Sequence, residues 1–196
     1  MSQIEQIQKL RKMTGTGIMD CKEALAESDN DIDKAVEILR EKGKAEAAKK
    51  ADRDASEGIV YSYIHPGSKV GVLLELNCET DFVARTDEFK DFAKEIAMQI
   101  AAASPGWVRR EDVPEEEIEK EKKIMTKQLK EAGKPEHILG KIIEGKLNKF
   151  YSQNCLLEQA YIRDDSKTIK EVLQEAIAKL GENIQINRFS RFAIGE

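Results

Sequence analysis

Two runs of alternating apolar and polar residues, joined by a short turn, constrain the fold of this chain more than any other feature of its sequence. The first run places apolar side chains at every second position from Ile59 to Tyr63, and the second does so from Val70 to Cys78. Between them lies His65-Pro66-Gly67-Ser68, which has the composition of a turn. A period of two on both sides of a turn predicts an antiparallel β-hairpin. The fold therefore has to contain a sheet.

An N-terminal module of three short helices is predicted before this hairpin. Apolar side chains recur there at helical spacing in three segments, and Gly43 predicts the end of the third helix. The stretch from Lys44 to Asp54 is rich in alanine and charge but has no apolar stripe, which predicts a solvated, helix-prone linker. We therefore divide the chain into residues 1–52, the N-terminal module with its linker, and residues 53–196, an α+β core.

The core is predicted to combine antiparallel strands with packed helices, which makes the fold class α+β. After the hairpin, the predicted elements are a helix from Asp87 to Ala103, a helical hairpin from Pro114 to Leu147, a buried strand from Cys155 to Ile162, a turn at Asp164-Asp165, a helix from Ile169 to Leu180 and a strand from Asn183 to Ile194. A faint repeat of Glu-Gly, Leu-Leu-Glu, an acidic turn and a helix indicates two related halves.

Charge and hydropathy exclude several function classes. Lys and Arg number 32 against 37 Asp and Glu, so the net charge is −5, whereas sequence-independent nucleic-acid binding requires a basic surface. No apolar run approaches the ~20 residues of a membrane helix, and the polar N-terminus lacks the apolar core of a secretion signal. We therefore expect a cytoplasmic protein that contacts neither membrane nor nucleic acid directly.

The sequence offers little catalytic or metal-binding chemistry. Its three cysteines are far apart, and none forms a Cys-x-x-Cys pair, so we expect buried free thiols at Cys21, Cys78 and Cys155. No phosphate loop, dinucleotide-binding, hydrolase or zinc-protease motif is present. Neither His65 nor His137 has a nucleophile beside it in the sequence. We expect no cofactor, no metal and no covalent catalysis.

One loop remains, Thr80-Asp81-Phe82-Val83, called the TDFV segment below. It leaves a predicted strand and precedes a predicted helix, and loops held by such rigid elements often carry binding residues. The residues alone leave two interpretations open. Phe82 is either an exposed wedge with a charged tip at Asp81, or a plug in the core, with Thr80 or Asp81 as a helix cap.

Two longer motifs give the chain a family resemblance. The segment Met13–Leu25, MTGTGIMDCKEAL, resembles the first signature of bacterial translation elongation factor Ts, and Glu75–Arg85, ELNCETDFVAR, resembles the second. The resemblance continues through Gly181–Ile184 and Arg188–Phe192, and so covers the whole chain. The chain is similar to the short members of this family, which lack part of the second half of the core.

The resemblance implies a guanine-nucleotide exchange factor that binds elongation factor Tu·GDP during translation elongation. It implies that the N-terminal helices form a ubiquitin-associated-like module that docks on the GTPase domain through a set of residues that we call the N-terminal patch: Met13, Gly15, Gly17, Ile18 and Met19. It also implies that the TDFV segment enters that domain and displaces the Mg²⁺ that holds GDP. Short members form homodimers, and residues 183–194 are the expected interface.

Two other function classes stay open at this point. One is a non-catalytic adaptor or dimerising platform that binds a GTPase through the N-terminal module without accelerating GDP release. The other is a small-molecule enzyme, which would need a deep pocket with convergent titratable groups. A measurement of GDP release from the partner GTPase separates an exchange factor from both.

Overall fold

The computed structural model describes residues 3–133 and 135–196, and within these residues the fold mixes helices and strands as the sequence predicts. The elements, in chain order, are α1 (Gln3–Thr14), α2 (Ile18–Glu27), α3 (Ile32–Lys50), β1 (Glu57–Ile64), β2 (Val70–Cys78), α4 (Asp81–Ala84), α5 (Asp87–Ala103), α6 (Glu115–Glu131), α7 (Glu136–Asn154), β3 (Ala160–Tyr161), β4 (Asp164–Thr168), α8 (Ile169–Leu180) and β5 (Gln185–Ala193). Single 3₁₀ turns at Arg110–Asp112 and Leu156–Glu158 complete the order. The predicted α+β class is confirmed.

Helices α1 to α3 enclose a small core of their own. Asp31 caps the start of α3, where its carboxylate accepts hydrogen bonds from the backbone N–H groups of Asp33 and Lys34 at 3.0 and 3.1 Å. The buried cluster shared by the three helices consists of Leu10, Cys21, Ala24, Leu25, Ala35 and Leu39. The three-helix arrangement predicted for the N-terminus is therefore correct.

Helix α3 is longer than predicted, because it does not end at Gly43 but continues to Lys50. A glycine inside a helix costs about 1 kcal/mol, and packing against another element can offset that cost. A Cβ at Gly43 would lie 3.6 Å from the Cβ of Ala178 on α8, and Lys44 forms an ion pair with Glu171 of α8 at 3.6 Å. Contacts with α8, which local sequence does not reveal, accompany the continuation of the helix.

The predicted β-hairpin is present as β1 and β2, and β5 adds a third strand in the order β1-β2-β5. Alternate side chains of β2 from Val72 to Cys78 are buried, as the period of two requires. Gly58 in β1 has a φ of +145°, and a Cβ at this position would lie 2.2 Å from the carbonyl oxygen of Leu76. The two backbones approach so closely there that only glycine fits.

The segment from Cys155 to Ile162 is not the predicted buried strand. It begins with a 3₁₀ turn, and only Ala160–Tyr161 forms a strand, β3, which pairs antiparallel with β4. The Gln159 side chain is buried and donates hydrogen bonds to the carbonyl oxygens of Ala103 and Gln153. The buried Gln99 side chain bonds to the segment itself, donating to the Ala160 carbonyl oxygen at 3.1 Å and accepting from the Ile162 N–H at 2.9 Å. The predicted turn at Asp164-Asp165 belongs to β4.

By the contacts between residues, the chain forms two compact units. Unit 1 contains the chain up to Tyr61 together with Glu75–Ala93 and Glu171–Ile186, and unit 2 contains Ser62–Leu74, Lys94–Lys170 and Asn187–Glu196. The helical hairpin of α6 and α7 lies in unit 2 and is confirmed. The domain boundary predicted after residue 52 stays a prediction. No helix within residues 3–133 and 135–196 is both long and apolar enough to cross a membrane.

Candidate functional site

The TDFV segment is a single helical turn rather than the predicted loop. Thr80 is the N-cap of α4, with extended backbone (φ −130°, ψ 151°), and its hydroxyl accepts a hydrogen bond from the Val83 N–H at 3.4 Å. The Thr80 carbonyl oxygen accepts a second bond from the Ala84 N–H at 3.2 Å. The capping role that sequence allowed for Thr80 is therefore correct, and the cap fixes where α4 begins.

Phe82 is not a core residue. Its exposed fraction is 78%, whereas Ala84 on the same turn is buried. Burial of a Phe side chain contributes about 2–3 kcal/mol, and Phe82 contributes little of this to the stability of its own chain. The core-plug interpretation is therefore wrong, and an aromatic side chain stands on a short, capped element with most of its surface free.

Asp81 precedes Phe82 in the chain, and its carboxylate is partly exposed. It forms an ion pair with Arg85 at 2.7 Å, one helical turn further along the chain. Both groups are well solvated, so the pair adds at most about 1 kcal/mol to the fold. Sequence reasoning did not single out Arg85, although the i,i+4 spacing of opposite charges was a usable signal.

A carboxylate from a distant part of the sequence holds the base of the TDFV segment. One oxygen of Glu182, Oε2, accepts hydrogen bonds from the backbone N–H groups of Glu79 and Thr80 at 3.1 and 3.0 Å. The other oxygen, Oε1, accepts from the Thr80 hydroxyl at 2.6 Å. Glu182 occurs in one of the family-like motifs, but sequence reasoning gave it no role.

The thiol of Cys78, which lies next to the start of the TDFV segment, has a structural role. All three cysteines are buried and free, as predicted. Burial, reinforced by the nearby charge of Glu182, raises the pKa of the Cys78 thiol to about 11. Its Sγ donates a hydrogen bond to the Thr80 carbonyl oxygen at 3.2 Å. A protonated, buried thiol of this kind is not a nucleophile at neutral pH.

The N-terminal patch lies where α1 ends and α2 begins. Its three large side chains are exposed, with free fractions of 54% for Met13, 56% for Ile18 and 64% for Met19. Gly15 adopts a φ of +70°, a conformation that favours glycine. Gly17 is the N-cap of α2, and a Cβ there would lie 2.8 Å from a carboxylate oxygen of Asp20. The two glycines shape the turn, and the three apolar side chains form its outer surface.

The two predicted sets of site residues thus lie on different elements of the same compact unit, unit 1. Neither set brings together a nucleophile and a base. Among residues 3–133 and 135–196, no three His, Cys, Asp or Glu side chains are grouped so that they could hold a metal ion. What the two sets share is exposed apolar surface, at Phe82 in one set and at Met13, Ile18 and Met19 in the other, which suits the binding of a protein.

Comparison with known proteins agrees with the two motifs. The sequence model of the family described as Elongation factor TS matches residues 3–196. Proteins named Elongation factor Ts are 61% identical to the chain in Thermotoga neapolitana, over 97% of this chain and 95% of the relative, and 59% identical in Caldanaerobacter subterraneus subsp. tengcongensis, over 100% and 98%. The protein of that name in Thermosipho melanesiensis is 58% identical over 97% of both chains. The chain therefore belongs to the elongation factor Ts family of bacterial translation elongation factors.

Proposed function

We propose that the chain is the nucleotide exchange factor that its family implies, and that it releases GDP from elongation factor Tu by displacing Mg²⁺ with the TDFV segment. The observation that carries this proposal is Phe82, an aromatic side chain that is 78% exposed on a capped helical turn. The neighbouring Asp81 brings a carboxylate to the first turn of the same helix. No covalent chemistry is required of the chain.

The energetics of exchange fit such a small element. A GTPase holds GDP through phosphate-cradling amides, a lysine and a bridging Mg²⁺. An exchange factor binds the nucleotide-free state more tightly than the loaded state, and by linkage it weakens GDP as much as GDP weakens it. Acceleration of release by ~1,000-fold requires a barrier lower by about 4 kcal/mol. Complete burial of a Phe side chain contributes roughly 2–3 kcal/mol, so insertion of a largely exposed Phe supplies a substantial part of this.

Docking is assigned to a separate surface, the N-terminal patch. Its exposed Met and Ile side chains lie on helices that share a core of their own, so binding through the patch does not depend on Phe82. In this proposal residues 1–52 act as a docking domain and residues 53–196 carry the TDFV segment. The acidic net charge and the apolar character of both surfaces favour a protein partner in the cytoplasm over a nucleic acid.

We further propose that the chain forms a homodimer through residues 183–194. Within unit 2, an open apolar groove is lined by Ile64 and Leu73 from the hairpin and by Phe192 and Ile194 at the C-terminal end. Phe192 and Ile194 are 70% and 79% exposed, which is unfavourable for a monomer in water. A sedimentation measurement should give twice the 22.1 kDa of one chain, and Phe192→Asp should return the monomer mass.

The experiment that tests exchange is a stopped-flow measurement of labelled GDP leaving elongation factor Tu, with and without the chain and with and without EDTA. If the TDFV segment acts on Mg²⁺, EDTA alone should speed release, and the additional acceleration given by the chain should shrink. An unchanged acceleration in EDTA would point to distortion of the base or phosphate contacts instead. Binding without any acceleration would leave the chain an adaptor.

A further inference from the structure

Reciprocal hydrogen bonds join the start of the TDFV segment to the segment before β5, and in each direction the acceptor is a carboxylate. Glu182 accepts three hydrogen bonds from Glu79 and Thr80, as described above. In return, the carboxylate of Glu79 accepts from the Asn183 backbone N–H at 2.6 Å. Each segment thus satisfies backbone donors of the other, although more than 100 residues separate them in sequence. All these residues belong to unit 1.

The end of the N-terminal module takes part in the same network. Asn183 is only 2% exposed, and its side-chain amide donates hydrogen bonds to the carbonyl oxygens of Arg53, at 2.7 Å, and Ala51, at 3.4 Å. Arg53 in turn forms an ion pair with Glu79 at 3.4 Å. Three chain segments therefore meet at the N-terminal end of α4: residues 51–53, 79–80 and 182–183.

Glu182 also controls the cap itself. The Thr80 hydroxyl donates its single hydrogen to Glu182 and accepts the Val83 N–H with a lone pair. An oxygen that donates in one fixed direction presents its lone pairs in the others, so the carboxylate orients the hydroxyl for capping. Hydrogen bonds to an ionised carboxylate are shorter and stronger than neutral ones. Because Phe82 is mostly exposed, its position depends on this cap rather than on packing.

We infer that Glu182 is a positioning residue for nucleotide exchange, which acts by holding the capped turn of α4 so that Phe82 projects toward the partner. The inference rests on the proposed function of the TDFV segment. Without Glu182, two backbone N–H groups and one hydroxyl lose their acceptor, and the turn can leave the competent conformation. If the competent fraction falls to about one molecule in ten, the maximal release rate falls about tenfold.

The test measures the GDP-release rate of elongation factor Tu as a function of the concentration of the full-length chain. For Glu182→Ala we expect the maximal rate to fall about tenfold, while the concentration that gives half of this rate changes less than about threefold, because the N-terminal patch is intact. Asp112→Ala is the matched control. It also removes a carboxylate that accepts a hydrogen bond from a backbone N–H, that of Arg109, but it does so in unit 2. It should change neither quantity. An unchanged maximal rate for a folded Glu182→Ala protein would overturn the inference.

A double-variant cycle separates positioning from a general structural effect. If Glu182 acts through Phe82, then Glu182→Ala should slow exchange less than about threefold in a Phe82→Ala background, whereas independent effects would multiply. Multiplied effects would overturn the inference. Normal exchange by Phe82→Ala alone would overturn the proposed function instead, so the two failures are distinguishable.

If Glu182→Ala shows no cooperative unfolding transition, more conservative variants provide the test. Glu182→Gln retains one acceptor oxygen, which serves either the backbone N–H groups or the Thr80 hydroxyl but not both. We expect an intermediate fall in maximal rate. Thr80→Val should lower the rate, and Thr80→Ser, which keeps both hydroxyl bonds, should restore it. Equal rates for Thr80→Val and Thr80→Ser would contradict the role assigned to this contact.

Discussion

Phe82→Ala should slow nucleotide exchange strongly and leave the fold almost unchanged. The side chain is 78% exposed, so this fraction of its roughly 2–3 kcal/mol of burial energy is available to a partner. The available energy is therefore about 1.6–2.3 kcal/mol. At 1.36 kcal/mol for each factor of ten, its loss should slow GDP release about 15- to 50-fold.

The effect on stability follows from the same exposed fraction. Only about a fifth of the Phe82 side chain is buried by its own chain, so we expect the free energy of unfolding to fall by less than about 1 kcal/mol. Phe89, which is completely buried in the same unit, provides the contrast, because Phe89→Ala should cost about 3–5 kcal/mol. Ile124→Ala, a truncation of an exposed apolar residue on α6, is the control for activity.

The assay is a denaturant melt and a stopped-flow GDP-release rate on the same preparations. A loss of several kcal/mol for Phe82→Ala would show that the side chain supports its own fold and would restore the core-plug interpretation. A release rate within about twofold of the unmodified chain would show that the wedge lies elsewhere, whatever the stability. Ile124→Ala should match the unmodified chain in its release rate.

Four further predictions concern other parts of the structure. Gly58→Ala should lower the free energy of unfolding by more than about 2 kcal/mol in a denaturant melt, because the added Cβ would lie 2.2 Å from the carbonyl oxygen of Leu76. Gly106→Ala is the control and should change the free energy little, because a Cβ there would have no atom within 4 Å. Burial raises the pKa of the Cys78 and Cys155 thiols to about 11, so a disulfide reagent at pH 8 should modify them at least about 100-fold more slowly in the folded than in the unfolded chain. The stability linked to these protons is fully present below about pH 8.5 and should decline as the pH rises toward 11, which melts across this range would detect. A fragment of residues 1–50 should be soluble and bind elongation factor Tu weakly without accelerating GDP release, and full exchange by it would contradict the division of roles.

The sequence predicted those elements whose pattern is local. The alternation from Val70 to Cys78 has one cause, the burial of one face of a strand, and this cause acts within a few residues. Gly43 shows the limit, because its local preference for ending a helix is overridden along α3, where a Cβ at Gly43 would lie 3.6 Å from the Cβ of Ala178. The run from Cys155 to Ile162 failed for a similar reason, since a short apolar stretch does not distinguish a strand from a buried turn.

The candidate site was predictable in its residues but not in its geometry. The position of the TDFV segment between a predicted strand and a predicted helix indicates a binding segment, and Thr80 has a residue type favoured at helix N-caps. The exposure of Phe82 was not predictable, because apolar side chains are on average buried and local sequence does not reveal which face of a single turn is covered. Nor was the contact of Glu182 with Thr80, which joins residues 102 positions apart.

The difference between the predicted loop and the observed helical turn bears directly on mechanism. Ordering one residue of backbone costs about 1–2 kcal/mol, so four residues ordered only on binding would cost about 4–8 kcal/mol. That exceeds the roughly 2–3 kcal/mol gained when one Phe is buried. For a flexible TDFV segment, the cost of ordering would therefore exceed the free energy gained by insertion. A turn already fixed by the Thr80 cap and by Glu182 has little ordering cost, so most of the burial energy of Phe82 contributes to binding of the partner. The proposed wedge requires the capped turn.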